Sequence, residues 1–168
     1  MMQKILTGRG TINELTGILN NKNLKSVFLV TGKSSFITSG ARDILFSLLA
    51  NRKVFQFNDF EVNPQLDDIA KGIDLFKQSK SDCIIAVGGG SVIDMAKAIR
   101  ALSGLKNAKI ADAVIFNHVH QNNIPLIAIP TTLGSGSEST SFAVVYINKN
   151  KYSLSHSSVL PDLAVIDT

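Results

Sequence analysis

The chain has 168 residues, 45% of them hydrophobic and 18% charged, which suits one soluble globular domain long enough to bury a core. Its net charge of +4 is mild, and Lys and Arg are scattered without a basic run or interleaved aromatics, which argues against nucleic acid as a partner. The lone Cys83 excludes an intrachain disulfide. No stretch reaches the ~20 apolar residues that span a bilayer and no apolar leader opens the sequence, so the expectation is a cytoplasmic protein with no membrane partner.

Met2 to Leu6 reads as a short edge strand, and Gly8-Arg9-Gly10 as a turn. Thr11 is placed to cap a helix running to Leu19, with Glu14 at the capping-box position and Leu15, Ile18 and Leu19 inward. Ser26 to Val30 is the next buried strand and ends at Thr31-Gly32-Lys33-Ser34-Ser35; the helix that follows carries Ile44, Leu45, Leu48 and Leu49 on one face. Lys53 to Phe57 alternates as a strand. Asn63-Pro64 then breaks the chain before a helix from about Gln65 to Lys80, with Leu66, Ile69, Ile73 and Phe76 inward.

Cys83 to Val87 has no polar alternation, as expected of a strand covered on both faces of a parallel sheet. Gly88, Gly89 and Gly90 end it. Without Cβ atoms they let a ligand approach the main chain, and Ser91 with Asp94 has capping-box spacing, so a helix is expected to start at Ser91. The free amides and positive dipole of such a helix end suit an anion. Two short signatures fail here. G-x-G-x-x-G requires glycine where this chain has Ile93, and a P-loop ending at Gly32-Lys33-Ser34 would require glycine where it has Val27.

Ser103 to Asn123 reads as an irregular connection with one apolar segment, Ala111 to Phe116. His118 and His120 form an H-x-H pair that could face a metal from a strand, but no carboxylate or cysteine joins them at ligand spacing, so they and His156 read as ordinary histidines. Pro125 to Ile129 is another apolar strand. It delivers Pro130-Thr131-Thr132-Leu133-Gly134-Ser135-Gly136-Ser137-Glu138, whose hydroxyls both donate and accept and so suit a ribose or phosphate. Phe142 to Ile147 and Tyr152 to Leu154 form a hairpin through Asn148 to Lys151, and Leu163 to Ile166 is the last strand. The alternation of strand and helix calls for a parallel sheet with helices on both faces, with ligands outside the carboxyl ends of its strands.

With Gly88-Gly89-Gly90-Ser91-Val92-Ile93-Asp94-Met95-Ala96-Lys97 and the Pro130 to Glu138 loop both in view, the chain resembles the iron-containing (group III) alcohol dehydrogenases. Their fold family includes glycerol dehydrogenases and dehydroquinate synthases. The likeness runs from Thr7-Gly8-Arg9-Gly10 to Leu160-Pro161-Asp162-Leu163-Ala164-Val165-Ile166-Asp167. It implies a Rossmann-like α/β fold, the N-terminal domain of the dehydroquinate synthase-like and iron-type alcohol dehydrogenase architecture, over residues 1–168. It further implies that Gly88, Gly89, Gly90 and Ser91 hold the pyrophosphate of a nicotinamide dinucleotide, that Asp94 and Lys97 match a D-x-x-K motif, that Thr131, Thr132 and Ser135 line the cofactor, that Lys151 lies near the nicotinamide ribose and that Asn63 lies beside the cofactor.

In many NAD-preferring relatives an aspartate stands where this chain has Gly32. With Lys33, Ser34 and Ser35 beside that glycine, the resemblance implies NADP(H) in preference to NAD(H). Relatives are longer and use a helical second half to hold Fe2+ or Zn2+ through an aspartate and three histidines. Asp167 matches the domain junction, and no histidine here matches a ligand position, so the metal belongs to a full-length parent. The implied parent reaction is hydride transfer between the nicotinamide and a small alcohol or aldehyde, a phosphonoacetaldehyde-reductase-like aldehyde reduction included, with little or no turnover expected from these residues alone. The alternatives are a dehydroquinate-synthase-like lyase domain and a non-enzymatic dinucleotide-binding module, and apolar surface at the missing half could drive homo-oligomer formation.

Overall fold

A computed structural model of the chain describes residues 3–106, 109–119, 121–132 and 134–168. Strand β1 (Lys4–Thr7) is followed by a 3-10 turn (Thr11–Glu14) and α1 (Leu15–Asn21). Next come β2 (Ser26–Thr31), α2 (Ser35–Thr38), α3 (Ala41–Leu48), β3 (Lys53–Phe57) and α4 (Leu66–Ser79). The centre of the chain is β4 (Cys83–Gly88), α5 (Gly90–Leu102), α6 (Ile110–Ile115) and β5 (Leu126–Pro130). A 3-10 turn (Ser137–Ser139), the hairpin β6 (Phe142–Ile147) and β7 (Asn150–Ser155), a 3-10 turn (Ser157–Val159) and β8 (Leu163–Ile166) complete it.

Six strands form one sheet in the order β1-β8-β5-β4-β2-β3, and every pairing in it is parallel. The apolar runs follow from that position. Alternate residues point to opposite faces, so Phe28, Val30, Ile84, Ala86, Leu126 and Ala128 join a core with α4, α5 and α6, while Val27, Leu29, Cys83, Ile85, Val87, Ile127 and Ile129 join a second core with α1, α2 and α3. Both faces are dry. Cys83 is buried in the second core, which pushes its thiol up to about 12, with Asp82 adding to the effect, so it stays protonated and is not a nucleophile.

α4 reaches the sheet through Gly72. A Cβ there would lie 2.5 Å from Ile99 Cδ1 and 2.8 Å from Phe57 Cε1, so the glycine is what lets α4 close on α5. Gly72→Ala should lower stability by about 1–2 kcal/mol despite alanine's better helix propensity, read from urea melts; a stabilised variant would show that α4 has slack to move.

Several local expectations need correction. Thr11 does not cap a helix: its hydroxyl donates to the Gly8 carbonyl at 2.9 Å, the first turn is 3-10, and Asp167 from the far end of the chain accepts from the Gly10 and Ile12 amides at 2.8 and 3.0 Å. Position Gly40, at φ 74, divides the helix after β2 into two, leaving Ile44 exposed and Leu45 buried. The Ala111 to Phe116 segment is helical as α6, because Ile110, Ala113 and Val114 close on the α4–α5 face. The hairpin turn is only Asn148-Lys149, both with positive φ, the combination a two-residue turn between twisted strands requires. His118 lies just beyond α6 and not on a strand, with its ring 5.9 Å from that of Phe116; His120 and Leu133 lie outside the described residues. No described helix is long and apolar enough to cross a membrane.

Candidate functional site

β2 and β4 are neighbours in the sheet, yet the chain leaves β2 toward the α2–α3 face and leaves β4 toward the α5 face. Connections that part in opposite directions open a crevice at the strands' carboxyl ends. A cleft of about 430 Å3 occupies that place. Its walls include Gly32, Lys33, Ser34 and Ser35 after β2, Gly89, Gly90 and Ser91 after β4, and Thr132 after β5. A second hollow, about 330 Å3, lies between Leu105 and α6 with Lys109, Asp112 and His118 on its walls, away from the strand ends.

Glycine is needed at the cleft for close approach. α5 starts at Gly90, one residue earlier than the spacing of Ser91 and Asp94 suggested, and no side chain caps it. The Val92 and Ile93 amides donate to the Gly89 carbonyl. Those of Gly90 and Ser91 come before any intrahelical acceptor and are free for a ligand. A Cβ on Gly89 would lie 3.1 Å from Thr132 Oγ1, and one on Gly90 would lie 3.0 Å from Ser135 Cβ. A Cβ on Gly88 would instead press on Val92 at 2.6 Å, so this glycine serves the strand-to-helix packing beneath the cleft. The Thr131 amide donates to the Gly88 carbonyl at 3.1 Å, holding the hydroxyl loop against the glycines. Thr131 Oγ1 is buried with no hydrogen-bond partner, and Thr131 is not among the residues that line the cleft, whereas Thr132 is.

Asn63 takes a left-handed φ of 67°, tolerated by asparagine, and its amide donates to Ser91 Oγ at 3.3 Å. The loop after β3 is thereby tied to the glycine turn, and it adds Asn58, Phe60, Glu61 and Val62 to the cleft. Sequence reasoning missed those four. The signal was present, since β3 ends at the same edge of the sheet as β2 and β4.

Asp94 and Lys97 sit elsewhere. Both are buried on the side of α5 that meets the hairpin. Asp94 Oδ2 accepts from the Val144 amide at 3.0 Å; burial raises its pKa, and the Val144 amide and Lys97 oppose the rise. Lys97 Nζ donates to Thr140 O at 2.8 Å, Thr140 Oγ1 at 3.1 Å and Phe142 O at 2.9 Å, which uses its three protons. Burial pulls its pKa down to about 8, against the pull of Asp94 and Glu138. These two side chains fasten the end of the hydroxyl loop and the root of β6 to α5. Lys151 is exposed on β7 opposite Tyr146, outside the cleft walls, and near enough to Asp94 to favour its charged form.

The cleft fits a phosphate-bearing ligand: bare glycine turn, free helix amides, the Thr132 side chain and Lys33 at the rim. The described residues do not fit a metal centre, for no group of three or more His, Cys, Asp and Glu side chains gathers among them.

Comparison with known proteins bears on what that ligand is. The sequence model of the iron-containing alcohol dehydrogenases matches residues 2–168. An NAD-dependent methanol dehydrogenase from Bacillus methanolicus is 31% identical over 95% of this chain and 42% of its own length. An NADPH-dependent butanol dehydrogenase from Clostridium saccharobutylicum is 32% identical over 98% of this chain and 43% of its own. The crystal structure of sulfoacetaldehyde reductase from Bifidobacterium kashiwanohense in complex with NAD+ superposes with a TM-score of 0.90 at 28% identity, covering 98% of this chain and 44% of that one. The chain thus spans less than half the length of the relatives it matches.

Proposed function

Because this chain belongs to the iron-containing alcohol dehydrogenases, we propose that its 168 residues form the nicotinamide-dinucleotide-binding domain of an oxidoreductase acting on a small alcohol or aldehyde. The observation that carries the reading is the glycine-floored cleft at the point where the connections from β2 and β4 diverge. When bound, the nicotinamide supplies hydride transfer. The chain's own residues bind and orient it. The Gly90 and Ser91 amides, at the positive end of α5, would take the pyrophosphate, and the Thr132 hydroxyl on the cleft wall would meet ribose or phosphate oxygens. Asn63 would act through Ser91, which its amide already holds. Asp94 and Lys97 would act indirectly, by holding the 131–140 loop and the hairpin in register with the cradle. No step is assigned to a metal, since the described residues do not gather a ligand set for one.

The cofactor we assign is NADP(H) in preference to NAD(H). Gly32 leaves no carboxylate to accept from a ribose 2′-hydroxyl or to repel a 2′-phosphate, and a Cβ at this position would run into Ser35 Oγ. Lys33, Ser34 and Ser35 then offer a cation and hydroxyl donors on the same wall. Calorimetric titration of the chain with NADPH and NADH in parallel should show NADPH binding about tenfold tighter, and Lys33→Glu should reverse the order. Tighter binding of NADH by the unaltered chain would overturn the preference. Absence of binding by either, from a folded sample, would overturn the dinucleotide reading.

A further inference from the structure

The cleft carries opposite charges on two walls that belong to different loops. Lys33, after β2, has its Nζ 3.8 Å from Asp59 Oδ1 and 3.8 Å from Glu61 Oε1, both after β3. The two acids are not equivalent. Asp59 has a nearer cation, Lys71 of α4, which hydrogen-bonds it and is the main reason its carboxyl lies below the usual range. Glu61 pairs with no cation but Lys33 among the described residues. Lys33 and Glu61 both line the cleft, so this pair spans its mouth.

Resting on the dinucleotide reading above, we infer that Glu61 is a specificity-determining residue that tempers the choice between a 2′-phosphate and a 2′-hydroxyl on the bound cofactor. A 2′-phosphate needs Lys33 as its counter-ion, and Glu61 already holds that place. The arriving phosphate displaces the carboxylate from Lys33 and leaves two anions facing each other across a narrow opening, a repulsion that weakens binding. A neutral 2′-hydroxyl brings no such conflict and leaves the ion pair standing. Lys33 and Glu61 therefore act in opposite senses, and the selectivity of the site is the difference between them. The side chains of both are more than half exposed, at 56% and 78%, so the pair is cheap to open and adds little to the stability of the fold.

The test is titration of the unaltered chain and Glu61→Gln with NADPH and NADH, at low salt and again at about 0.5 M, with thermal melts as a folding control. Glu61→Gln should bind NADPH about three- to tenfold tighter and NADH within about twofold, and the NADPH gain should shrink at high salt, where exposed charges are screened. An unchanged NADPH affinity while both cofactors still bind would overturn the inference and leave the dinucleotide reading in place. A loss of NADH affinity with NADPH unchanged would overturn it too, showing that the carboxylate accepts from the 2′-hydroxyl instead. Failure of the unaltered, folded chain to bind either cofactor would overturn the dinucleotide reading and the inference with it.

Discussion

A Gly89→Val chain should melt within a few degrees of the unaltered protein and bind dinucleotide roughly 100-fold more weakly, about 2.7 kcal/mol. The two effects separate because of where Gly89 sits. Its backbone, at φ −78° and ψ −174°, is ordinary extended chain that valine adopts readily. The obstacle is on the ligand side: the added Cβ would lie 3.1 Å from Thr132 Oγ1 and 3.6 Å from its Cγ2, and the branched methyls would occupy the floor that a phosphate must reach. Gly88→Ala is the contrasting case. Its Cβ would lie 2.6 Å from Val92 Cγ2 and 2.8 Å from Val92 Cβ, inside the core contact between β4 and α5, so the loss there should appear in the melt. Calorimetry and thermal unfolding of the two variants side by side would decide. Unchanged affinity in Gly89→Val would remove the glycine turn from the binding site.

Lys97→Met should cost about 2–4 kcal/mol of stability at pH 7. Methionine fills a similar volume, but Thr140 O, Thr140 Oγ1 and Phe142 O lose the ammonium that now satisfies them, and unpaired buried acceptors are expensive. Asp94 also loses a cation that favours its ionised form. The pH dependence carries the signature of this lysine. Its pKa in the fold is about 8 against 10.5 when unburied, so between those values the unfolded chain holds a proton that the folded chain does not. Stability then rises with pH across that window, fully gained above 10.5 and lost as pH falls to about 8. The difference in stability between the unaltered chain and Lys97→Met should therefore widen by about 2–3 kcal/mol from pH 8 to pH 10.5. Urea melts at closely spaced pH values would measure it, and parallel curves for the two proteins would show that Lys97 titrates normally. Dinucleotide affinity should fall as well, because the lysine anchors the far end of the loop that carries Thr131 and Thr132.

What could be read from the sequence was whatever is encoded locally. The unbroken apolar runs at Val27 to Val30, Cys83 to Val87 and Leu126 to Ile129 identify strands buried on both sides, because an exposed face would require polar alternation. The glycine turn and the hydroxyl-rich loop mark the candidate site, and Gly89, Gly90, Ser91 and Thr132 from them line the cleft. Sheet order was not encoded this way. That β2 and β4 are neighbours whose connections part to opposite faces, and so open a crevice, depends on packing of the whole sheet.

The same limit explains the misread caps and charges. Spacing proposed side-chain caps from Thr11 and Ser91, but Asp167 serves the amides at the 3-10 turn before α1 from 155 residues away, and Asp94 turns to the Val144 amide. A capping motif specifies only what a side chain can reach locally, and a stronger distant partner can win. Lys97 looked like a cofactor ligand in sequence and is a buried fastener in the fold, because the helical position that faces the hairpin is fixed by which stripe of α5 meets β6. The glycine turn was determined by residue type alone; which charged side chains line the cleft, as Lys33 and Glu61 do, and which hold the scaffold, as Asp94 and Lys97 do, was decided by tertiary packing.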